Sequence, residues 1–390
     1  MRKIRKNNSA GKKFKIPKAV MIAVCLLPAV LTALFYIFRK NSSVMNWVVL
    51  NISAPVRGFF GLISSVYPFS LMEVVCTAAI VWLIYYIVRT VMVTVRRRGK
   101  WKILSKRLLV IAVAALYVWG SFCWLWNSGY YAASFTEING LESGGVKTSD
   151  LIAVTRLFAK KANELAPLVK RDDEGFFIED RREFFQTAPG VYAGITDDFP
   201  CLTGRLYRPK RMLFSWVMSR TGYTGIYFAL TGESNINTRA PGCLMPSTVA
   251  HELAHQRGVF AEDEANFVGI AACVTSGNVV YEYSGWLYGL MNLSSALAQA
   301  DREAYNEIHA SLCSEVRLDW NHNYEYWQSQ KKVVTGITFF DKILTAIVET
   351  ASDTVDTVYN GYLKSNDQDL GIKSYGACVD LLAVYFLPSA

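Results

Sequence analysis

Acidic residues are nearly absent from the first third of the chain. Up to Asn127 the sequence has one, Glu73, against 19 Lys and Arg, whereas the remainder has 31 acidic and 22 basic residues. The net charge of +9 therefore combines a strongly basic first part with an acidic second part. The basic residues stand in blocks that bracket apolar runs of bilayer length, which is typical of membrane orientation and is not required for contacts with phosphates. We expect no nucleic-acid partner.

The chain also lacks paired cysteines and low-complexity tracts. None of its eight cysteines belongs to a CxxC pair, which argues against a cysteine-based zinc site. Three of them fall in apolar runs, and the other five are odd in number and widely spaced, so the spacing demands no disulfide. A composition of 52% hydrophobic and 13% aromatic residues excludes a disordered protein, and 390 residues are enough for two or three structural units.

Three apolar runs predict transmembrane helices. They cover residues 19–38, 71–95 and 108–127, and each is near the roughly 20 residues that cross a hydrocarbon core. The first lacks a clear small-residue cleavage site, so we interpret it as an anchor and not as a signal peptide. Residues 1–127 are thus expected to form a multi-pass, membrane-embedded anchor. The runs carry almost no charge and therefore offer no polar pathway for transport.

Lys and Arg flank these runs unevenly. Eight lie in residues 1–18 and seven in residues 96–107, but residues 39–70 hold only three. By the positive-inside rule, the N-terminus and the 96–107 loop are expected to be cytoplasmic. Everything after residue 127 is then expected on the extracytoplasmic side of a bacterial cell membrane.

The second part of the chain predicts an α+β fold. Residues 128–149 are rich in Gly and Ser and predict a linker, and residues 150–390 are expected to form an extracytoplasmic domain. Apolar residues recur at helical spacing from Asp150, which is suited to cap the helix, to Val169. β-branched and aromatic residues interrupted by one glycine predict strands within 225–237. A mostly helical domain with a small sheet is the architecture expected.

A further helix is predicted to carry the string HELAHQ. Ser247 and Thr248 are suited to cap its start, and Gly258 is suited to end it. The apolar pattern predicts a second helix over residues 261–275.

The string HELAH at residues 251–255 is an HExxH motif. The protein has only four histidines, and two of them, His251 and His255, stand four residues apart around Glu252. On a helix these two positions share a face, so both imidazoles can bind one Zn²⁺. Glu252, beside the first ligand, can then act as the general base.

A catalytic zinc needs a third protein ligand. The metzincin pattern is excluded, because its third histidine would fall on Ala261. Glu262, Asp263 and Glu264 follow and resemble the ExxxD helix of gluzincins. Glu262 is preferred over Glu264 because it shares a helix face with Asn266, which stands where gluzincins have the carboxylate that orients a histidine. Alternatively, the three acids only interact with the helix dipole.

The motif lies within the longer string HELAHQRGVFAEDEANF, and the strings GESNIN, PST, YNGYLKSN and GIKSYG occur elsewhere. Together they resemble an uncharacterised family of bacterial membrane proteins with N-terminal spans and a zincin-type domain. The resemblance covers most of the chain and implies a gluzincin-like fold. It also implies that His251, His255 and a downstream glutamate bind the metal, with Glu252 as the catalytic acid/base. It implies no substrate.

Two supporting roles have candidates. In zincins the strand before the motif helix often pairs with an extended substrate, and residues 226–230 are the matching strand here. A Tyr or His commonly stabilises the oxyanion, for which Tyr281, Tyr283 and His322 are available. Each of the three can equally serve a structural role.

The function expected is a membrane-anchored zinc metallopeptidase that hydrolyses peptide bonds of a protein or peptide substrate outside the cytoplasm. Two alternatives stay open. The first is a non-catalytic zinc-containing sensor or scaffold, although a structural zinc site has no need of Glu252. The second is a metallohydrolase that acts on cell-wall material.

Overall fold

The computed structural model describes residues 17–96, 100–141, 145–331, 338–366 and 375–387. These residues are mostly helical, with one small sheet, as the sequence predicts. The helices are α1 Lys18–Phe38, α2 Ser42–Val48, α3 Ala54–Ser65, α4 Leu71–Arg96, α5 Lys100–Leu125, α6 Phe135–Asn139, α7 Thr148–Leu165, α8 Arg181–Thr187, α9 Ser215–Arg220, α10 Met245–Gln256, α11 Glu262–Val274, α12 Val279–Ala300, α13 Arg302–Ala310, α14 Ser314–Gln330, α15 Thr338–Ser365 and α16 Tyr375–Phe386. The strands are β1 Lys210–Arg211, β2 Gly225–Phe228 and β3 Glu233–Ile236.

Four helices near the N-terminus are, among the described residues, long and apolar enough to cross a membrane: Lys18–Phe38, Ser42–Ser65, Leu71–Val95 and Lys100–Leu125. Three of them overlap the predicted spans. The additional helix, Ser42–Ser65, is continuous through α2, a π-helical turn and α3. The sequence does not predict it as a span, because Ser, Asn, Pro and Arg residues interrupt its apolar run. These helices indicate that the protein associates with a membrane.

The start of the predicted linker is folded. A 3-10 turn over Asn127–Tyr131 buries most of its residues, and α6 follows with a capping box between Ser134 and Glu137. Ser134, one of the residues that predict a linker, caps the start of α6. Gly140, another of them, forms the turn that ends α6 and has a φ of 62°. This part of the segment is therefore structured, and the division of the chain into domains stays a prediction.

The largest hydrophobic core lies where α7, α11, α12 and α16 pack together. The helix predicted over residues 150–169 is α7, and it buries one apolar face. It begins at Thr148, so Asp150 lies in the first turn and does not cap the helix. The helix predicted over residues 261–275 is α11, whose residues are buried on all sides after the first turn. That burial fixes the position of α11 within the fold.

The sheet has the strand order β1-β3-β2, with β1 parallel and β2 antiparallel to β3. In the antiparallel pair, Ile226 lies opposite Asn235 and Phe228 lies opposite Glu233. The turn between these strands contains Gly232, whose φ of 66° favours glycine. The strands predicted within residues 225–237 are thus confirmed, and β2 lies at one edge of the sheet.

Two buried carboxylates join the sheet region to the start of α4. Glu233 on β3 accepts hydrogen bonds from the first two backbone amides of α4 at 3.0 and 2.9 Å. In return, Glu73 in the first turn of α4 accepts from the backbone amides of Leu213 and Phe214 at 2.9 and 2.7 Å. Each carboxylate satisfies two amides that would otherwise lack partners, so the position of the sheet relative to α4 is fixed.

Candidate metal centre

The helix α10 carries the HExxH motif. It starts at Met245 with Pro246 in its first turn, where proline fits because the missing N–H has no acceptor there. The prediction that Ser247 or Thr248 caps this helix is therefore wrong. Ser247 lies inside the helix, and its hydroxyl is 2.9 Å from the hydroxyl of Ser284 on α12.

The end of α10 prepares one histidine for a metal. Gly258 has a φ of 86°, and its backbone amide donates to the carbonyl of His255 while that of Val259 donates to the carbonyl of Ala254, both at 3.1 Å. These two bonds form a Schellman motif, which confirms the predicted helix end. The same turn brings the carbonyl oxygen of Val259 to 2.7 Å from Nδ1 of His255. Because Nδ1 is engaged by a carbonyl, Nε2 is left to bind a metal.

The next helix, α11, approaches α10 closely at one glycine. A Cβ on Gly269 would lie 2.8 Å from the backbone nitrogen of His251 and 3.0 Å from its Cα. Any side chain at that position would push the two helices apart. The close approach places the first turn of α11, which carries Glu262, beside both histidines of α10.

The three side chains predicted to bind zinc meet at one point. Oε2 of Glu262 lies 3.2 Å from Nε2 of His251 and 3.8 Å from Nε2 of His255. One potential ligand atom from each residue lies within 4.8 Å of the other two. Ligands about 2.0–2.2 Å from a tetrahedral zinc are roughly 3.4 Å from one another, so the spacing fits this metal. Two imidazoles and one carboxylate also form a common donor set for zinc.

The alternative ligand Glu264 has a different position. Its carboxylate is buried and accepts hydrogen bonds from the backbone amides of Phe135 and Thr136 at 3.0 and 2.9 Å. It therefore holds the start of α6. Of the two glutamates that the sequence leaves open, the structure brings only Glu262 to the histidines.

Asn266 does not orient a histidine as the sequence predicts. Its Oδ1 accepts a hydrogen bond from the hydroxyl of Tyr288 on α12 at 3.1 Å. Nδ1 of His251 is buried and, within the described part of the chain, has no hydrogen-bond partner. Asn266 follows Glu262 by one turn, but the packing of α12 against α11 directs its oxygen to that neighbour.

Glu252 is buried beside the sheet with one free oxygen. A Cβ on Gly225 of β2 would lie 2.6 Å from its Oε1, so only glycine lets the strand pass this close. Its Oε2 is buried and has no hydrogen-bond partner among the described residues. Burial raises the pKa of Glu252 to about 7, against the lowering effect of the nearby histidines. A carboxyl with this pKa can take up and release a proton near neutral pH.

The charges of the three predicted ligands are coupled. Burial would lower the pKa of His255, but the Glu262 carboxylate outweighs this and raises it to about 9. Burial would raise the pKa of Glu262, but the two imidazoles hold it well below its usual range. In the metal-free protein at neutral pH, a proton on His255 therefore balances the Glu262 carboxylate, and a metal ion would replace that proton.

A tyrosine on α15 completes the surroundings of Glu262. The hydroxyl of Tyr359 donates to Oε1 of Glu262 at 2.5 Å, which directs the other oxygen of this carboxylate toward the histidines. The ring of Tyr359 makes an edge contact with Tyr223 and stacks on Tyr362. Burial raises the pKa of Tyr359 and of Tyr223, so both remain neutral donors. The only sequence signal for Tyr359 is its place in the string YNGYLKSN.

A family model matches residues 50–383, which include α3 and all helices that build this site. The chain belongs to the family described as a protein of unknown function, DUF3810. This confirms the resemblance to an uncharacterised family. No curated protein and no solved structure matches the chain.

The other aromatic residues predicted for this DUF3810 member's site have partners elsewhere. The hydroxyl of Tyr281 donates to the carbonyl of Phe184 at 3.3 Å. That of Tyr283 donates to Asp319 at 2.5 Å, and the ring of His322 packs on Phe176 with centroids 4.7 Å apart. The structure does not bring these side chains to the predicted ligands.

In this DUF3810 chain, a residue from the N-terminal part also reaches the site. Arg57 on α3 is 3% exposed and donates from Nη1 to the backbone carbonyl of His255 at 3.2 Å. Its guanidinium lies 4.9 Å from the ring centroid of Phe260. Trp126, just after α5, contacts the His255 ring edge-on at 5.4 Å. Sequence reasoning misses Arg57, whose one signal is a lone charge within an apolar stretch.

Proposed function

We propose that this protein is a membrane-anchored zinc metallopeptidase of the gluzincin-like type, with its site on the extracytoplasmic side of a bacterial membrane. The meeting of His251, His255 and Glu262 at one point carries this proposal. The three residues would hold Zn²⁺, and Glu252 would be the catalytic acid/base. The substrate class is a protein or peptide.

The residues around the trio supply the other functions that peptide hydrolysis needs. When bound, zinc lowers the pKa of water and polarises a carbonyl group. Glu252 has a buried, unpaired Oε2 and a pKa of about 7, so this oxygen can accept a proton from water and pass it to the leaving amine. The hydroxyl of Tyr359 is already donated to Glu262. Tyr223, whose ring contacts that of Tyr359, donates to Asp356 only at 3.4 Å, so its neutral hydroxyl is the donor near the site that can turn to stabilise an oxyanion.

The sheet edge beside Glu252 suits an extended peptide. β2 has β3 as its only neighbour in the three-stranded sheet of the described chain, so it is an edge strand, the kind of strand that pairs with extended peptides. Gly225 lies against Glu252, which places this edge next to the proposed catalytic carboxylate. An extended substrate that pairs with β2 would present a peptide bond to that carboxylate.

The buried Glu252 favours catalysis over a purely structural zinc site. Its unpaired oxygen in a buried position costs about 1–3 kcal/mol of stability, and a structural site gains nothing from it. Groups kept in such positions are common where protons are transferred. A zinc-containing sensor or scaffold would tolerate loss of this carboxylate.

The first test is zinc content and peptide cleavage by the purified full chain in detergent. We expect one zinc per chain and cleavage of members of a broad peptide library. His255→Ala should lose the zinc, whereas His322→Ala removes an imidazole outside the site and should keep it. The proposal would be contradicted if wild-type protein that is purified in the presence of zinc contained no metal. Zinc-loaded protein that cleaves no peptide would favour the sensor, and cleavage of muropeptides alone would favour the cell-wall hydrolase.

A further inference from the structure

The helix Ser42–Ser65 buries its polar residues Ser53, Arg57 and Ser64, and the large side chains that it exposes are apolar. Its buried positions recur every three to five residues and are Met45, Val48, Ser53, Arg57, Gly61 and Ser64. On the outer side, Leu50 is 70% exposed and Phe59 is 58% exposed. A helix on a surface that faces water has the reverse arrangement. The outer side of this helix therefore fits hydrocarbon.

The second half of the inner side, over α3, carries polar and small residues because it packs on the region of the metal centre. Arg57 bonds to the backbone of α10, as described above. One turn later, a Cβ on Gly61 would lie 2.7 Å from the ring of Tyr207. A Cβ on Gly232, in the turn between β2 and β3, would lie 2.4 Å from the carbonyl oxygen of Arg57. The helix thus packs directly on the sheet and on the end of the motif helix.

Both ends of the helix contact the part of the chain that follows α5. Near its start, Oδ1 of Asn46 accepts from the backbone amide of Ala133 at 2.7 Å. Near its end, Nζ of Lys210 on β1 donates to the carbonyl of Ser64 at 3.0 Å. The helix has 24 residues and is about 36 Å long, which is enough to cross the hydrocarbon core. If it crossed the membrane, its two ends would therefore lie on opposite sides. Contacts at both ends show that it runs along this part of the molecule.

The neighbouring helices end against the same region. Arg39, just after α1, donates to the hydroxyl of Tyr131 at 2.9 Å. The first turn of α4 is bound to the sheet, and Trp126, just after α5, contacts His255. Crossings by α1, α4 and α5 place these three ends on one side of a membrane.

A second apolar surface continues from the start of α4. The backbone amides of Leu213 and Phe214 bind Glu73 in the first turn of that helix. Their side chains point outward, since Leu213 is 80% exposed, and Trp216 beside them is also exposed. Exposed aromatic and aliphatic side chains beside the end of a membrane-spanning helix are typical of a membrane interface.

We propose that the outer side of Ser42–Ser65 and the turn at residues 213–216 rest on the lipid of the extracytoplasmic leaflet. Lipid is the partner of this surface, and Ser42–Ser65 lies along the membrane without crossing it. Its inner side supports the metal centre through Arg57, so the centre is held at the membrane surface. This arrangement does not depend on the proposed hydrolysis.

Intact cells that express the full chain can show on which side of the membrane each end of Ser42–Ser65 lies. Ser42→Cys and Ser65→Cys introduce thiols at exposed positions at the two ends of the helix. The native Cys201, which is exposed in the region after α5, reports the side of the metal centre. A membrane-impermeant maleimide should label both introduced thiols from the side that labels Cys201. Labelling of the two thiols from opposite sides would overturn the proposal.

Lipid contact can be measured without changing any cysteine. The photoreactive residue p-benzoylphenylalanine is placed at Leu50, Phe59 or Leu213 of the full chain, in vesicles of phosphatidylethanolamine and phosphatidylglycerol. The matched control is Leu168, after α7, which is 64% exposed. We expect about tenfold more lipid adduct at the first three positions than at the control, by mass spectrometry. Equal adduct at all four positions, or none at Leu50 and Phe59, would overturn the proposal.

Discussion

The pair α10 and α11 and the helix Ser42–Ser65 both bury polar side chains, but for different purposes. In the pair, the buried polar groups converge on one point and form the candidate metal centre. In Ser42–Ser65, the buried guanidinium of Arg57 binds the backbone behind that centre. The pair can be recognised from its own spacing, because one ion needs ligands at i and i+4. The role of Arg57 becomes visible only from its partners, which lie about 200 residues away in sequence.

The pair α10 and α11 thus carries the proposed chemistry, and Ser42–Ser65 supports it. Substitutions of His255, Glu252 or Glu262 in the pair should remove zinc or activity and leave the fold intact. Substitutions on the inner side of Ser42–Ser65 should first reduce stability.

The largest effect is expected from Glu252→Gln. The substitution keeps the size of the side chain but removes its ability to accept a proton, so peptide cleavage should fall about 10²- to 10⁴-fold. Zinc content should stay at the wild-type level, since Glu252 is not a ligand. The control is Glu325→Gln on α14, where the glutamate is exposed. Steady-state rates and metal analysis on the same samples provide the measurement, and equal rates for variant and wild type would indicate a non-catalytic site.

The two glutamates of α11 should differ sharply. Glu262→Gln should lose zinc, because a neutral amide is a poor ligand and no longer pairs with the histidines. Glu264→Gln should keep zinc and lower the free energy of unfolding by about 1–3 kcal/mol, since it weakens the bonds that hold the start of α6. Metal analysis and denaturant unfolding in one detergent separate the two results. Loss of zinc in the second variant alone would reverse the ligand assignment.

Arg57→Ala should lower stability without changing the ligands. The variant loses a charged hydrogen bond to the carbonyl of His255 and the contact with the Phe260 ring, which together are worth about 2–4 kcal/mol. The matched control is Arg317→Ala, which removes an exposed arginine of α14. The denaturant midpoint is the readout. An unchanged midpoint for Arg57→Ala would break the distinction between the two regions.

Tyr359→Phe should weaken zinc binding about 10- to 100-fold, as is usual when a residue that orients a ligand is removed. The variant loses the 2.5 Å hydrogen bond to Glu262. Tyr362→Phe is the matched control, since its hydroxyl donates to Asn127 at 2.6 Å. Competition with a chelator of known affinity measures the zinc affinity of both variants. Equal zinc affinities of the two variants would show that Tyr359 only packs beside the site and does not orient Glu262.

The smallest effect is expected from a change of one pH unit. With the pKa of His255 raised to about 9 in the metal-free protein, zinc must displace one proton from this site throughout the neutral range. Zinc affinity should therefore rise about tenfold for each pH unit between 6 and 8 and level off as the pH passes 9. Chelator competition across that range measures the slope. An affinity independent of pH would mean that His255 is already neutral before the metal binds.

Sequence reasoning succeeds where the physical constraint is local. The strands around Gly232, the end of α10 at Gly258 and the helix after Ala261 follow from backbone geometry and apolar spacing. It fails where contacts with other elements determine the role of a residue. Ser247 is a good capping residue, but Pro246 lets the helix start earlier. Asn266 stands at the expected spacing, yet its oxygen is bound by Tyr288 of another helix.

The sequence by itself determined three of the apolar helices, the motif, and the two glutamates in the following helix that could complete it. Only the tertiary structure decided which glutamate reaches the histidines, because that depends on the close approach of α11 to α10 at Gly269. It also decided that Tyr359 and Arg57 belong to the site, since both arrive from distant parts of the chain. The physical reason is that periodicity and capping act over a few residues, whereas burial and hydrogen bonding depend on every element that packs nearby.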